Sequence, residues 1–301
     1  MSTDERATTI TAASAPAENT LWEGLALVVV GAFCFSLAIP FTRWVKGLDA
    51  PTITFYRALF GFAFLALLTL WDRNAWRLSA YRAALPRLLA LGGAVSATAL
   101  LYTYAVRHTS AANAVLLVNT APVYVAVLAP LMLGEPRVRY TWLSLTLALG
   151  GVALITDPRT LSLASAELGG VVAGIFSGLG YGVVMLLSRS LRKRVNGLTQ
   201  NLWSNGMVVL ILLPWALRAP ATDVTANLSS LVPLGVFSLG LSYLLYFAGL
   251  ARVRAQIVSI AALFEPLFGV MMGMVFFAEV PDLLGWLGGG LILLSVYLIA
   301  R

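Results

Sequence analysis

The stretch YTYAVRHTSAANAVLLVNTAPVYVAVLAPLMLGEPRVRYTW, residues 102–142, returns 144 positions later as YFAGLARVRAQIVSIAALFEPLFGVMMGMVFFAEVPDLLGW, residues 246–286. Tyr102, Pro122, Glu135 and Trp142 fall without a gap on Tyr246, Pro266, Glu279 and Trp286. Apolar runs of about 17 to 25 residues are long enough to span a bilayer. Ten such runs are read, at 22–43, 50–71, 86–106, 110–133, 139–156, 167–188, 198–217, 229–251, 255–277 and 281–300. Five spans per copy is an odd number, so the second copy must lie upside down relative to the first, the plan of many secondary transporters. The predicted fold is therefore all-α and integral to the membrane, with ten transmembrane helices as two inverted five-helix repeats. Residues 1–21 are expected to form a disordered cytoplasmic tail, residues 22–156 the first repeat and residues 167–301 the second.

Composition supports that reading. Hydrophobic residues make up 59% of the chain and charged ones 11%, against roughly 25% charged in soluble domains. The polar stretches near 72–85, 157–166 and 218–228 are too short to bury a core of their own, so function must sit among the helices. The net charge of +7 follows from topology. With the N-terminus inside, fourteen basic residues face the cytoplasm, among them Arg137, Arg189, Arg192, Lys193, Arg194, Arg252 and Arg254, and five face outward: Arg43, Lys46, Arg107, Arg159 and Arg218. This asymmetry satisfies the positive-inside rule, with both termini cytoplasmic and the protein multi-pass in the inner (plasma) membrane. It also removes the need for a nucleic-acid partner. Residues 1–20 lack the basic start and short apolar run of a cleaved signal peptide.

Several chemistries find no site in the sequence. No Gly-x-x-x-x-Gly-Lys-Ser/Thr loop is present to hold a nucleotide for hydrolysis. One histidine, His108, and one cysteine, Cys34, far apart in the chain, do not make a metal site or a histidine-based nucleophile. No cofactor, no metal and no enzymatic activity are expected. Cys34 is read as packing, and His108, at an outer hairpin turn, as a solvated or capping residue.

Short links force antiparallel hairpins. Helices 3 and 4 meet at Arg107-His108-Thr109, and helices 8 and 9 at Arg252-Val253-Arg254. The equivalent hairpins of the two copies thus lie on opposite faces. With Thr109-Ser110-Ala111-Ala112, Pro122, Gly134-Glu135 and Gly150-Gly151-Val152 in the first copy, and Glu265-Pro266, Glu279 and Gly285 in the second, the chain resembles the drug/metabolite transporter superfamily in its ten-helix form with two EamA-type domains. Phe55-Tyr56-Arg57 in helix 2 is similar to the arginine this repeat carries there. Phe35-Ser36 departs from the Trp-Gly often found in helix 1, its counterpart in helix 6 being Tyr181-Gly182. Within the family the chain most resembles amino-acid exporters, the aromatic amino-acid exporters included. The resemblance implies a secondary transporter that exports small neutral metabolites, amino acids with apolar or aromatic side chains, by alternating access; drugs or nucleotide-linked metabolites are the alternative cargo. A central cavity walled by helices 1, 3, 4, 6, 8 and 9 is implied too.

Candidate residues follow from cost. An ionisable group deep in lipid is expensive and usually faces the bundle interior. Glu265, about ten residues into helix 9, and Arg57 in helix 2 are the two such groups. Pro266 removes a backbone donor, so carbonyls near Ala261 and Ala262 are expected to be free beside the Glu265 carboxylate, a spot suited to an ammonium group and, as a titratable carrier, to protons. Arg57 is read as a partner of Glu265, a backbone clamp or an anchor for a substrate carboxylate. Ser36, Tyr102, Asn119, Tyr181 and Tyr246 are the neutral polar and aromatic candidates for the substrate pocket. Pro122 and Pro266 are structural candidates as kinks. Gly174 and Gly178 belong to a strip, Gly170 to Gly182 at every fourth residue, that lets helices approach closely.

Overall fold

The computed structural model describes residues 18–70, 81–108, 111–136, 138–156, 168–278 and 280–300. Most of the predicted tail, residues 1–17, lies outside them, as do Thr109, Ser110, Arg137 and Glu279. The described chain is all-helical and forms ten rods. Helix 1 runs Glu18–Ser36 and, after a break at Leu37, Ala38–Trp44; helix 2 is Ala50–Leu68 and helix 3 Leu85–His108. Helix 4 is split into Ala111–Val118 and Ala121–Leu133; helix 5 is Thr141–Thr156, helix 6 Leu168–Leu191 and helix 7 Gly197–Ala216. Helix 8 is Leu228–Gly235, a π-helical turn Val236–Leu241 and Ser242–Arg252; helix 9 is split into Ala255–Ala261 and Phe264–Phe277; helix 10 is Leu283–Ala300. Among the described residues, 8 rods are long and apolar enough to cross a membrane, and helix 5 is a shorter apolar helix. Helix 7 carries buried Gln200, Asn201, Ser204 and Asn205, which dilute its apolar character.

The breaks in helices 4 and 9 share one cause. Pro122 and Pro266 have no N–H to give to the preceding turn, and each break falls just before its proline, at Asn119-Thr120 and at Ala262-Leu263. Ends are capped where the chain turns. Asp49 accepts the Thr52 N–H at 3.0 Å before helix 2, and Asn196 accepts the Thr199 N–H at 2.8 Å before helix 7, both N-cap bonds to otherwise orphaned donors.

Packing follows the repeat. Helix 3 lies along helix 6, and its mirror pair, helix 8 along helix 1, is also formed; helix 4 on helix 6 is matched by helix 9 on helix 1. Helices 2 and 7, and 5 and 10, pair with their own counterparts. At the 5–10 contact a Cβ on Gly151 or on Gly288 would stand 2.5 Å from the other's carbonyl oxygen. Exchanging the copies converts that pair of positions into Ser295 and Ser144, both fully buried. The largest core cluster, around Leu88, Val125, Met185, Phe247 and Val258, binds the two copies together. Leu131, Leu210 and Val275 are exposed on the outside of the bundle, as side chains bathed by lipid tails are.

Candidate functional site

Glu265 stands in the first turn of the second half of helix 9, immediately after the break. It lines a cavity with Gly31, Ala32 and Phe35 of helix 1, Tyr181 of helix 6, Ser242, Tyr243 and Tyr246 of helix 8, and Ala262. The cavity encloses about 10 Å³, the room of a single water. Its walls are aromatic: Tyr181 stacks on Tyr246 at 6.3 Å, and Phe35 tilts against Tyr243 at 5.8 Å. Glycine makes this approach possible, because Gly31 brings helix 1 so close to helix 8 that a Cβ there would stand 3.1 Å from the Ser242 carbonyl oxygen.

The second charge lies outside the cavity lining, against its Phe35 wall. The Arg57 guanidinium lies 4.9 Å over the Phe35 ring, its Nε donates to Ser238 Oγ at 2.7 Å, and its Nη2 is buried with no hydrogen-bond partner. Arg57 is within electrostatic reach of Glu265, Tyr102 and Tyr243. No ion-pair contact joins it to Glu265 among the described residues. Glu265 thus lines the small aromatic chamber, while Arg57 backs its Phe35 wall without touching the carboxylate.

Ser238 is placed by the π-helical turn of helix 8, a local irregularity of the kind that clusters at functional sites. Its hydroxyl donates to the Leu234 carbonyl. The carbonyls of Leu239 and Gly240 are taken up by Asn201 Nδ2 of helix 7, at 3.0 and 2.9 Å, and Asn205 Nδ2 donates to Asn201 Oδ1 at 2.7 Å. Gly61 and Gly235 let helices 2 and 8 meet over this region, a Cβ on Gly235 falling 2.6 Å from the Arg57 carbonyl oxygen. Neither Ser238 nor Asn201 stood out in the sequence. The available signal was the density of amides in an otherwise apolar helix 7.

The remaining candidates separate. Tyr181 and Tyr246 line the cavity; Tyr102 does not, and packs beside Ala105, Ala114 and Ala173. Ser36 donates to the Phe33 carbonyl at 2.7 Å at the end of the first half of helix 1. Asn119 Nδ2 donates to the Val115 carbonyl at 2.8 Å and Thr120 Oγ1 to that of Leu117 at 2.6 Å, so both close off the helix 4 break. Gly174 and Gly178 receive the same break: a Cβ on Gly178 would lie 2.5 Å from the Leu117 carbonyl oxygen. Two expectations are corrected. The Ala262 carbonyl is not free, since the Glu265 N–H reaches back to it at 2.9 Å, the tight turn replacing the bond that Pro266 cannot make. The cavity is walled by helices 1, 6, 8 and 9 without helices 3 and 4, which pack onto glycines of helix 6, Thr98 against Gly180 and Leu117 against Gly174. His108 ends helix 3, its ring 3.8 Å from that of Tyr104 and its Nδ1 2.9 Å from the Tyr104 carbonyl oxygen, a capping position.

A polar knot missed by the sequence lies on the arginine-rich face. Glu135, buried after helix 4, accepts Arg189 Nε at 2.7 Å through Oε1 and the Ala255 N–H at 3.0 Å through Oε2; Arg189 Nη1 donates to the Leu250 carbonyl at 2.5 Å. Gln256 Oε1 accepts from Thr141 Oγ1 at 2.9 Å and from the Val138 N–H at 3.2 Å. Together they tie the helix 4–5 connection of one copy to helices 6, 8 and 9 of the other.

Comparison with known proteins places this arrangement. The model of the EamA-like transporter family matches residues 22–157 and again residues 168–301. An uncharacterized transporter of Archaeoglobus fulgidus is 34% identical over 281 residues, 92% of this chain and 96% of that protein. The pseudopaline exporter CntI of Pseudomonas aeruginosa is 28% identical over 285 residues, 93% and 97% of the two chains. A solved crystal structure shares the fold at a TM-score of 0.77 and 16% identity, covering 91% of this chain and 94% of its own.

Proposed function

We propose, from the premise that the chain belongs to the EamA-like transporter family and is a multi-pass membrane transporter, that it exports amino acids with apolar or aromatic side chains by alternating access. The observation that carries this reading is Glu265 in an aromatic chamber between helices contributed by both copies. A carboxylate there attracts a substrate ammonium group, and the rings of Phe35, Tyr181, Tyr243 and Tyr246 offer apolar faces to its side chain. Glu265 is also the carboxylate available to carry a proton through the bundle. Since the chamber has room for about one water, loading requires helices 1, 6, 8 and 9 to part, and the broken helices and glycine contacts supply places where they can do so. The name of the pseudopaline exporter supports the export direction for a relative of nearly equal length. The arginine-rich face is assigned to the cytoplasm by the positive-inside rule, with both termini there and the protein in the inner membrane.

The test is flux in proteoliposomes. Labelled phenylalanine, leucine and alanine are expected to exchange through the wild-type protein, and Glu265→Gln is expected to lower flux at least tenfold at unchanged folded yield. Flux that survives this substitution would remove Glu265 from the site; no flux over a broad amino-acid panel would remove the substrate class. An imposed pH gradient that accelerates wild-type export, but not that of a Glu265 variant with residual flux, identifies proton coupling.

A further inference from the structure

We infer that Arg57 reads a carboxylate on the substrate, so that the chamber selects molecules carrying both an anion and a cation and rejects amines that lack the anion. This rests on the reading of the Glu265 chamber given above and deepens it. Arg57 has the features of a recognition group. Its Nε is used on Ser238 and its π-face on Phe35, which fixes the plane of the guanidinium, while Nη2 is buried without a partner. A structural clamp would be expected to satisfy that nitrogen, because a buried donor left unpaired on a cation carries its full desolvation penalty. The Phe35 face offsets part of that cost, and Glu265, in electrostatic reach but out of contact, acts on the guanidinium only from a distance.

A zwitterion replaces that weak long-range pairing with contacts at both ends. Its carboxylate accepts a charge-assisted bond from the Arg57 fork as its ammonium meets Glu265. A plain amine brings a second cation beside the guanidinium and leaves Nη2 orphaned, so it is disfavoured both by repulsion and by an unmade bond. The guanidinium is held in place by Ser238, which owes its position to the π-helical turn that Asn201 caps. Ser238 and Asn201 are accordingly positioning residues for the recognition step.

The experiment compares matched probes in proteoliposomes: phenylalanine, phenethylamine, which is the same molecule without the carboxylate, and phenylalanine amide, in which the carboxylate is neutralised. Wild-type protein is expected to move phenylalanine at least tenfold faster than either, a preference that falls to within about twofold in Arg57→Gln. Arg57→Lys keeps the cation but not the fork and is expected to retain part of the preference; Ser238→Ala is expected to raise the apparent KM for phenylalanine with a smaller effect on maximal rate. Should Arg57→Gln fail to fold, Arg57→Lys and Ser238→Ala carry the comparison. Equal movement of all three probes by wild type, or an undiminished preference in the variants, overturns the inference and leaves the amino-acid reading standing. Movement of none of the three overturns this inference, and overturns the amino-acid reading with it when leucine and alanine are not moved either.

Discussion

Arg189 and Glu135 show how one residue's meaning depends on its neighbours. In the sequence Arg189 is one of many basic residues on one side of the membrane, and Glu135 is a marker of the repeat; in the fold they form a buried ion pair at 2.7 Å. The carboxylate's second oxygen takes the Ala255 N–H, so both oxygens are engaged. Removing one partner of such a pair strands the other charge, at about 3–5 kcal/mol. Arg189→Met is therefore expected to destabilise the protein by that amount in denaturant unfolding in detergent, and the double replacement of Glu135 and Arg189 by apolar residues to recover most of the loss. A double variant as unstable as the single one would show that Glu135 acts mainly through Ala255. Glu265 and Arg57 were legible in the sequence, because an ionisable group within an apolar run is costly wherever the run folds. Tyr102 and Tyr246 occupy equivalent positions in the two copies, yet only Tyr246 lines the chamber, a difference that register alone does not contain.

Helices 4 and 9 are broken by their prolines, as their sequences lead one to expect, but the two breaks are used differently. Helix 9 exposes Glu265 to the chamber; helix 4 closes its break with Asn119 and Thr120 and seats it on the glycine strip of helix 6. A side chain at Gly178 would collide with the Leu117 carbonyl and Thr120 Oγ1 at 2.5 and 2.6 Å. Gly178→Ala is thus expected to cost about 1–3 kcal/mol through overpacking, whereas Gly93→Ala, with nothing within 4 Å, is expected to leave thermal stability unchanged. The π-helical turn of helix 8 was not legible, since an extra residue in a turn changes no residue type. Its two carbonyls depend on Asn201. Asn201→Leu is expected to cost about 1–3 kcal/mol by leaving them unbonded, measured as a lower midpoint of unfolding, and to raise the KM for phenylalanine alongside Ser238→Ala.

At the scale of the whole molecule the contacts obey the exchange of the two copies, from the 3–6 and 8–1 pairs to the pairing of helices 5 and 10. An inverted arrangement with ten crossings requires both ends of the chain on one face. Tags at the two termini are expected to become accessible to a membrane-impermeant reagent together, only after the vesicle is opened to the cytoplasmic face; a split result would dismantle the topology. The Glu135, Arg189 and Gln256 knot draws the arginine-rich face together. The number of spans, their inversion and the cost of the two deep charges were determined by the sequence alone, because apolar length, odd count and desolvation are properties of local composition. Which helices wall the chamber, that Arg57 comes within electrostatic reach of Glu265 without an ion pair, and that Arg189 finds Glu135 were decided only by the tertiary structure. Those pairings join residues 54 to more than 200 positions apart, and no local pattern records where the packing of glycine against backbone will bring such distant side chains to meet.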